Sequence, residues 1–258
     1  MPYVFDVLTI AALADEMTEL LLDGRVQRTG LLDPWSMGLE VYAGRQRRYL
    51  VANVDAQQPA VYLSDREPAF DSQLVTPFSL LLRKHVRGGR VIGIEQPPLE
   101  RILRFSIAKW PPRAREYTHL VIEIMGRHSN IILVDDAGQI LDSIKRVTPK
   151  MSRVRPILPK LPYEPPPPID KPDPRWITAR DLGIMLAGEP QDADLATTLM
   201  RQLRAISPMM AREIVFRAVG RTEVALGELP TGIETRLARE IRHLLEPLMT
   251  SAWQPCLY

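Results

Sequence analysis

The chain has 258 residues, 45% of them hydrophobic and 25% charged, a balance typical of a globular protein with one large or two modest domains. No apolar run approaches the roughly 20 residues of a transmembrane helix, and an acid at position 6, with no basic region before the apolar stretch, is unlike a secretory signal. We therefore expect a cytoplasmic protein with no membrane partner. One cysteine allows no intrachain disulfide, and four scattered histidines give no zinc motif.

Basic residues concentrate in one part of the chain. The stretch from Pro77 to Lys160, which we call the basic segment, holds 16 Lys and Arg against 7 Asp and Glu, whereas the rest holds 17 against 24. Of the 33 basic residues 27 are Arg, a side chain suited to bidentate phosphate contacts and base stacking. The pattern favours a surface for a polyanion. The alternatives are that strands place Arg on their solvent-exposed faces, or that the Arg excess records a compositional bias.

The N-terminal pattern predicts a helix and then a β-meander. Apolar residues at helical spacing predict a helix over 8–22, and Asp6 suits its N-cap because the carboxylate can accept a main-chain hydrogen bond two or three residues on. The β-rich segments that follow are bounded by turn residues and predict antiparallel strands. These strands cover 25–33, 37–43, 46–54 and 59–64.

A second helix opens the basic segment. Thr76 suits its N-cap and Pro77 its first turn, and the pattern runs to residue 87. The apolar face leaves basic side chains for a ligand, although solvation alone also explains such a face. These side chains are Arg83, Lys84 and Arg87. Gly88-Gly89 then leads into strands over 90–96 and 100–107.

A polar cluster interrupts the next hairpin. Apolar runs ending at Ile124 and resuming at Ile131 predict two strands joined by a Gly-led turn. A plain turn needs a Gly and an Asn but not the Arg and His between them. An Arg, a His and two small hydrogen-bonding residues at one strand junction form a site able to hold phosphate or a sugar edge. They are Arg127, His128, Ser129 and Asn130. The alternative is a solvated hairpin whose charges keep a sheet edge soluble.

The C-terminal part changes character. After a strand over 140–147, residues 156–174 contain nine prolines and can be neither helix nor central strand. Helical periodicity follows, over 178–186, 195–205, 208–219 and 233–249. We therefore predict an α+β fold: an antiparallel β-rich domain over 1–160, a proline-rich connector over 161–175 and an all-α domain over 176–258.

Several motifs resemble those of the NFACT family, which includes proteins called RqcH, fibronectin-binding protein A and NEMF. The motifs are Glu-Ile-Met-Gly-Arg-His-Ser-Asn-Ile-Ile-Leu-Val-Asp from Glu123, Leu-Arg-Lys-His from Leu82, Gly-Gly-Arg-Val-Ile from Gly88, Ile-Leu-Asp-Ser-Ile-Lys-Arg-Val from Ile140 and Arg-Val-Arg-Pro-Ile-Leu-Pro from Arg153. The resemblance implies a first domain similar to that of formamidopyrimidine-DNA glycosylase, followed by helix-hairpin-helix elements. It also implies that the proline-rich stretch packs along the β domain, and that the chain is a fragment of a longer protein.

The resemblance also implies a function and its residues. Family members bind the obstructed large ribosomal subunit with its peptidyl-tRNA and recruit tRNA for template-free tailing of the stalled chain. Glu100-Arg101 stands where the family usually has Asp-Arg, a pair implicated in tRNA recruitment, and an acid matching Asp6 belongs to the functional surface. We expect Asp6, Arg101 and Arg127 to converge on one exposed surface. No catalytic group, cofactor, metal or small-molecule substrate is expected.

Two other functions are weighed against tRNA binding. A DNA glycosylase could use Pro2 as an imine-forming nucleophile, but Tyr3 stands where an acid is expected and no cysteine set forms a zinc finger. An adhesin that binds fibronectin is the second alternative.

The helix pair joined around Ser207-Pro208 resembles a helix-hairpin-helix without the glycine-rich turn that offers N–H groups to phosphate, which favours a structural module.

Overall fold

The computed structural model describes residues 5–109 and 117–255. The chain divides into two compact units, one of Met1–Phe5 and Thr9–Pro166 and the other of Asp6–Leu8 and Pro167–Tyr258. The first unit combines an antiparallel sheet with two helices, and the second is helical in its described part. The α+β class predicted from the sequence is confirmed, whereas the likeness to a glycosylase domain and the helix-hairpin-helix assignment stay predictions.

The described residues of the first unit form a nine-stranded antiparallel sheet in the order β4-β3-β2-β1-β5-β6-β7-β8-β9. Its strands are β1 (Arg25–Asp33), β2 (Ser36–Ala43), β3 (Gln46–Asn53), β4 (Ala60–Ser64), β5 (Arg90–Glu95), β6 (Ile102–Ala108), β7 (Tyr117–Glu123), β8 (Asn130–Asp135) and β9 (Ile140–Ser143). All neighbours except β1 and β5 are consecutive in sequence, as in an antiparallel meander. The Gly44-Arg45 turn between β2 and β3 is typical, since both residues have positive φ, 55° and 63°, as a tight hairpin requires.

Two helices cover one face of this sheet and close its main core. They are α1 (Val7–Leu21) and α2 (Pro77–His85). Thr76 and Ser79 form a capping box at the start of α2, which confirms the predicted N-cap. Fully buried side chains from both helices, such as Met17 and Leu82, pack against the apolar face of the sheet.

A smaller apolar cluster covers the opposite face of the sheet. Ile102, Val121 and Ile132 pack there with Ile157, which comes from the start of the proline-rich stretch. The main chain of this stretch bonds to the sheet edge: the N–H of Ile140 donates to the Leu161 carbonyl at 2.8 Å. Prolines therefore do not prevent edge pairing here, because the residues between them supply the donors and acceptors. The first residues of the predicted 161–175 connector thus belong to the β unit.

The second unit contains α3 (Ala179–Ala187), α4 (Leu195–Gln202), α5 (Pro208–Val219), α6 (Ile233–Leu245) and α7 (Pro247–Thr250). Three of these helices begin at polar N-caps, Thr178, Asp194 and Ser207. The predicted helix over 233–249 is two helices, because Pro247 cannot continue the hydrogen bonding of α6. No helix of the described residues is long and apolar enough to cross a bilayer.

Candidate nucleic-acid interface

The polar turn between β7 and β8 is built by its own side chains. A short 3-10 helix spans Gly126–His128, and Gly126 has φ 58°, which favours glycine. The Ser129 hydroxyl accepts a hydrogen bond from the Met125 N–H at 2.7 Å, and Ser129 is 1% exposed. Ser129 thus shapes the turn from within and does not face solvent.

Asn130 ties the turn to the strand beyond it. Its side-chain Nδ2 donates to the Lys145 carbonyl at 2.8 Å, and its Oδ1 accepts from the Lys145 N–H at 3.0 Å. The Asn130 amide therefore pairs with the main chain of residue 145 as a neighbouring strand would. This explains why β9 ends at Ser143 and not at the predicted residue 147. Beyond Ser143, the main chain of Lys145 bonds to the Asn130 side chain and not to the main chain of a neighbouring strand.

Arg127 and His128 are the exposed members of the turn. The Arg127 Nε donates a hydrogen bond to the His128 Nε2 at 3.0 Å, so the two side chains lie side by side. A guanidinium and an imidazole in this arrangement offer charge, hydrogen-bond donors and flat faces to a ligand. Of the four predicted turn residues, these two are therefore available to bind and the other two are structural.

Arg101 lies next to this turn. Its carbonyl accepts a 2.9 Å hydrogen bond from the Ile124 N–H, directly after β7, and its side chain is exposed. A tight turn precedes it, in which Leu99 has φ 58° and the Gln96 amide donates to the Glu100 carbonyl at 2.7 Å. The strand predicted from residue 100 thus begins at Ile102. We call Arg101 and the turn Met125–Asn130 the hairpin end.

A buried ion pair supports the hairpin end and was not predicted. Glu123, which is fully buried, accepts hydrogen bonds from the Arg155 guanidinium at 2.9 and 2.5 Å and from the Tyr163 hydroxyl at 2.9 Å. Burial raises the pKa of Tyr163, and the negative charge of Glu123 raises it further. Burial acts to lower the pKa of Arg155, but the bonds and charge of Glu123 raise it overall. The last residue of β7 is thus fixed from the far side of the sheet.

Asp6 does not lie on an exposed surface. Its Oδ1 accepts from the Leu8 N–H at 3.1 Å, which confirms the predicted N-cap of α1, and its Oδ2 accepts from the Ser207 hydroxyl at 2.9 Å. These contacts leave Asp6 only 7% exposed. The prediction that Asp6 is exposed beside Arg101 and Arg127 is therefore wrong as to exposure. Its role in tRNA binding stays a prediction, as does that of Glu100.

Two further sets of basic side chains in the basic segment differ in their surroundings. Lys145 and Arg146 make internal contacts: the Lys145 ammonium donates to the Val54 carbonyl and lies 5.6 Å from the Trp35 ring, and Arg146 binds the buried carboxylate of Asp142 at 2.9 and 3.0 Å. Burial lowers the pKa of Lys145. The predicted basic helix face is exposed at all three positions, Arg83, Lys84 and Arg87. Within the described ranges, no group of three metal-binding side chains occurs.

Comparison with known proteins agrees with this architecture. Residues 6–258 match the family model of the NFACT N-terminal and middle domains. Among curated proteins, the Rqc2 homolog RqcH of Bacillus subtilis is 30% identical over 250 residues, which cover 96% of this chain but 43% of that protein. The chain thus spans less than half the length of that relative. The RqcH of Streptococcus suis is also 30% identical, over 63% of this chain and 30% of its own length.

Solved structures share the fold. The N-terminal domain of the fibronectin-binding protein PavA from Streptococcus pneumoniae has a TM-score of 0.71 and 26% identity, over 82% of this chain and 78% of that one. The N-terminal part of the fibronectin/fibrinogen-binding protein of Streptococcus suis has a TM-score of 0.77 and 23% identity, over 94% and 85%. The second likeness is one of fold alone.

Proposed function

The chain belongs to the NFACT family, and on that premise we propose that it is the tRNA-binding N-terminal part of a ribosome-associated quality-control factor. In this proposal the whole protein binds the obstructed large subunit with its peptidyl-tRNA and recruits tRNA for template-free C-terminal tailing of the stalled chain. The ribosome supplies the chemistry of peptide transfer. This chain then acts in the cytoplasm as a binding protein, without catalytic residues or a cofactor.

The observation that carries the proposal is the placement of two arginines at one end of the sheet. Arg101 directly precedes β6 and bonds through its carbonyl to the Ile124 N–H, and Arg127 lies three residues further along the chain from Ile124. Both side chains are exposed, and within the described part of the chain neither forms an ion pair with an acid. Glu123, the carboxylate nearest to Arg127 in sequence, is buried and already bound by Arg155.

Two exposed guanidiniums without acidic partners suit an RNA loop or stem. Each can bind a phosphate through two parallel hydrogen bonds or stack on an unpaired base. The His128 ring, held beside Arg127, adds a second flat surface on which a base can stack. Ser129 and Asn130 contribute indirectly, because their internal hydrogen bonds fix the turn that presents both side chains.

Salt dependence of tRNA binding tests the proposal. If Arg residues neutralise several phosphates, the logarithm of the binding constant falls linearly with the logarithm of the salt concentration, by roughly 0.7–0.9 per phosphate. Filter binding of individual tRNAs to the purified chain over a salt series measures this slope. A flat response, or no tRNA binding at low salt, contradicts the proposal.

The two alternatives have direct tests on the same preparation. Borohydride trapping on damaged duplex DNA detects the imine of a glycosylase; Pro2 and Tyr3, on which that alternative depends, lie outside the described residues. The similar structures include proteins named for binding fibronectin, so surface capture of the chain on immobilised fibronectin tests the adhesin alternative. We expect neither signal.

A further inference from the structure

A second basic site lies between α2 and the sheet. A groove with a volume of about 490 Å³ is lined there by Gln27 and Thr29 on β1 and by Arg83 and Arg87 at the end of α2. We call it the α2 groove. All its lining residues belong to the first unit, and none of them belongs to the hairpin end.

Ion pairs neutralise only part of its charge. Two further arginines line the groove, and each has an acidic partner: Arg28 binds Glu67 at 2.5 Å, and Arg47 approaches Glu40 at 3.5 Å. Within the described residues, neither Arg83 nor Arg87 has such a partner. The groove therefore keeps an excess of two positive charges, both on guanidiniums, the group that best matches the oxygens of a phosphate.

The backbone of β1 is modified where it borders the groove. Its register with β2 shifts between Val26 and Arg28. Gln27 and Arg28 are both exposed, whereas consecutive residues of a regular strand alternate between exposed and buried. Such a bulge re-aims side chains and is common next to functional sites. The bulge thus brings an amide and a guanidinium to the groove from one strand.

A buried hydroxyl in the wall of the groove has no partner. Thr29 is 6% exposed, and its Oγ1 makes no hydrogen bond within the described residues. Buried hydroxyls left unpaired are costly and uncommon, and they mark a place that a water, an ion or a polar ligand completes. The charge at the end of α2 could be explained by the helix dipole alone, but the dipole does not explain the orphaned Thr29 or the bulge at Gln27.

From these observations we propose that the α2 groove is a phosphate-binding site, with Arg83 and Arg87 as its ligand-binding residues and a backbone phosphate of the bound RNA as its ligand. That the phosphate belongs to RNA rests on the proposed function, whereas the binding of phosphate by the groove does not. The site adds contacts to those of the hairpin end, so it affects affinity and salt dependence without reading bases.

Two measurements test the proposal. In the first, inorganic phosphate is titrated into the chain while the Arg side-chain Nε–H signals are followed by NMR. In the second, the salt slope of tRNA binding is compared between the wild type and the double variant Arg83→Gln/Arg87→Gln. The matched control is Arg180→Gln/Arg242→Gln, which also removes two exposed arginines, from the second unit. Thermal unfolding of both variants verifies that they fold.

We expect phosphate to shift the Arg83 and Arg87 signals. We also expect the double variant to lose about 0.7–0.9 of the salt slope, the share of one phosphate, while the control keeps the wild-type slope. Unchanged Arg signals overturn the phosphate site. Shifted signals with an unchanged tRNA slope overturn the RNA phosphate as ligand and leave a site for a small phosphate compound. If the wild type binds no tRNA, the proposed function fails, and the NMR titration alone decides whether the groove binds phosphate.

Discussion

The carbonyl of Arg101 accepts a 2.9 Å hydrogen bond from the N–H of Ile124. This single bond continues the β6–β7 ladder one residue beyond Ile102 and Glu123, the last paired positions. It places the start of one strand against the turn that follows the other, so Arg101 and Arg127 are held at the same end of the sheet. Two motifs that are some 25 residues apart in sequence thereby contribute to one surface.

Asn130 should be more important for stability than for binding. The variant Asn130→Ala removes the amide that pairs with both main-chain groups of Lys145 and leaves those groups without partners, so we expect a loss of about 1–3 kcal/mol in the free energy of unfolding. Chemical denaturation measures it. The control Arg127→Ala, an exposed position in the same turn, should stay within about 0.5 kcal/mol of wild type. Equal losses in both variants would contradict the division of the turn into structural and binding residues.

The Glu123–Arg155 pair should show strong coupling. Replacing either partner alone, as in Glu123→Ala or Arg155→Ala, leaves a buried charge without its partner and should cost about 3–5 kcal/mol. The double variant Glu123→Ala/Arg155→Ala should lose less than the sum of the two, because no unpaired charge remains. Urea denaturation of the four proteins completes the cycle.

Arg153→Ala provides the control for this cycle, since Arg153 is exposed two residues from Arg155 and should change stability little. Additive losses across the cycle would show that Glu123 and Arg155 do not act as a pair.

Stability should fall in mild acid through His119. Burial, followed by the charge of Arg104, lowers the pKa of His119 below its ordinary value of 6.5, against the opposing charges of Asp136, Glu95 and Asp135. The unfolded chain therefore binds this proton more readily than the fold, so the free energy of unfolding rises with pH between the lowered pKa and 6.5. Below that window the fold stays destabilised by a constant amount.

Urea denaturation of wild type and His119→Gln from about pH 7 down to pH 5 checks this sign. The variant should lack part of the acid-induced loss, and His243→Gln, at an exposed position on α6, is the control. A steeper loss in His119→Gln than in wild type would reverse the expected direction.

Local rules were sufficient for most elements of the fold. The cap at Thr76 acts within a few residues, so its chemistry can be recognised in sequence. The break at Pro247 was missed, because the apolar periodicity continues past it. The strands were recognised for the same reason. The predicted end of β9 was too late, because beyond Ser143 a side chain takes the place of main-chain pairing.

The partners of polar residues could not be predicted in the same way. Glu123 and Arg155 are 32 residues apart, and Asp6 and Ser207 are 201 apart; no periodicity connects them. The motif that contains Arg155 was recognisable, but its role as a buried counter-ion depends on how the proline-rich stretch packs on the sheet. Gln27 and Thr29 were missed because they join Arg83 and Arg87 only in three dimensions.

The most direct test of the central claim is the tRNA affinity of Arg101→Ala and Arg127→Ala beside that of Arg242→Ala, with the thermal midpoint of each. Losing a charge-assisted contact without opening a core cavity should weaken binding by about 1–3 kcal/mol in the first two variants. Their midpoints should match wild type, and Arg242→Ala, at an exposed position on α6, should bind as wild type does. Unchanged affinity in both hairpin-end variants, an equal loss in the control, or midpoints that fall in step with affinity would contradict the claim that the hairpin end binds tRNA.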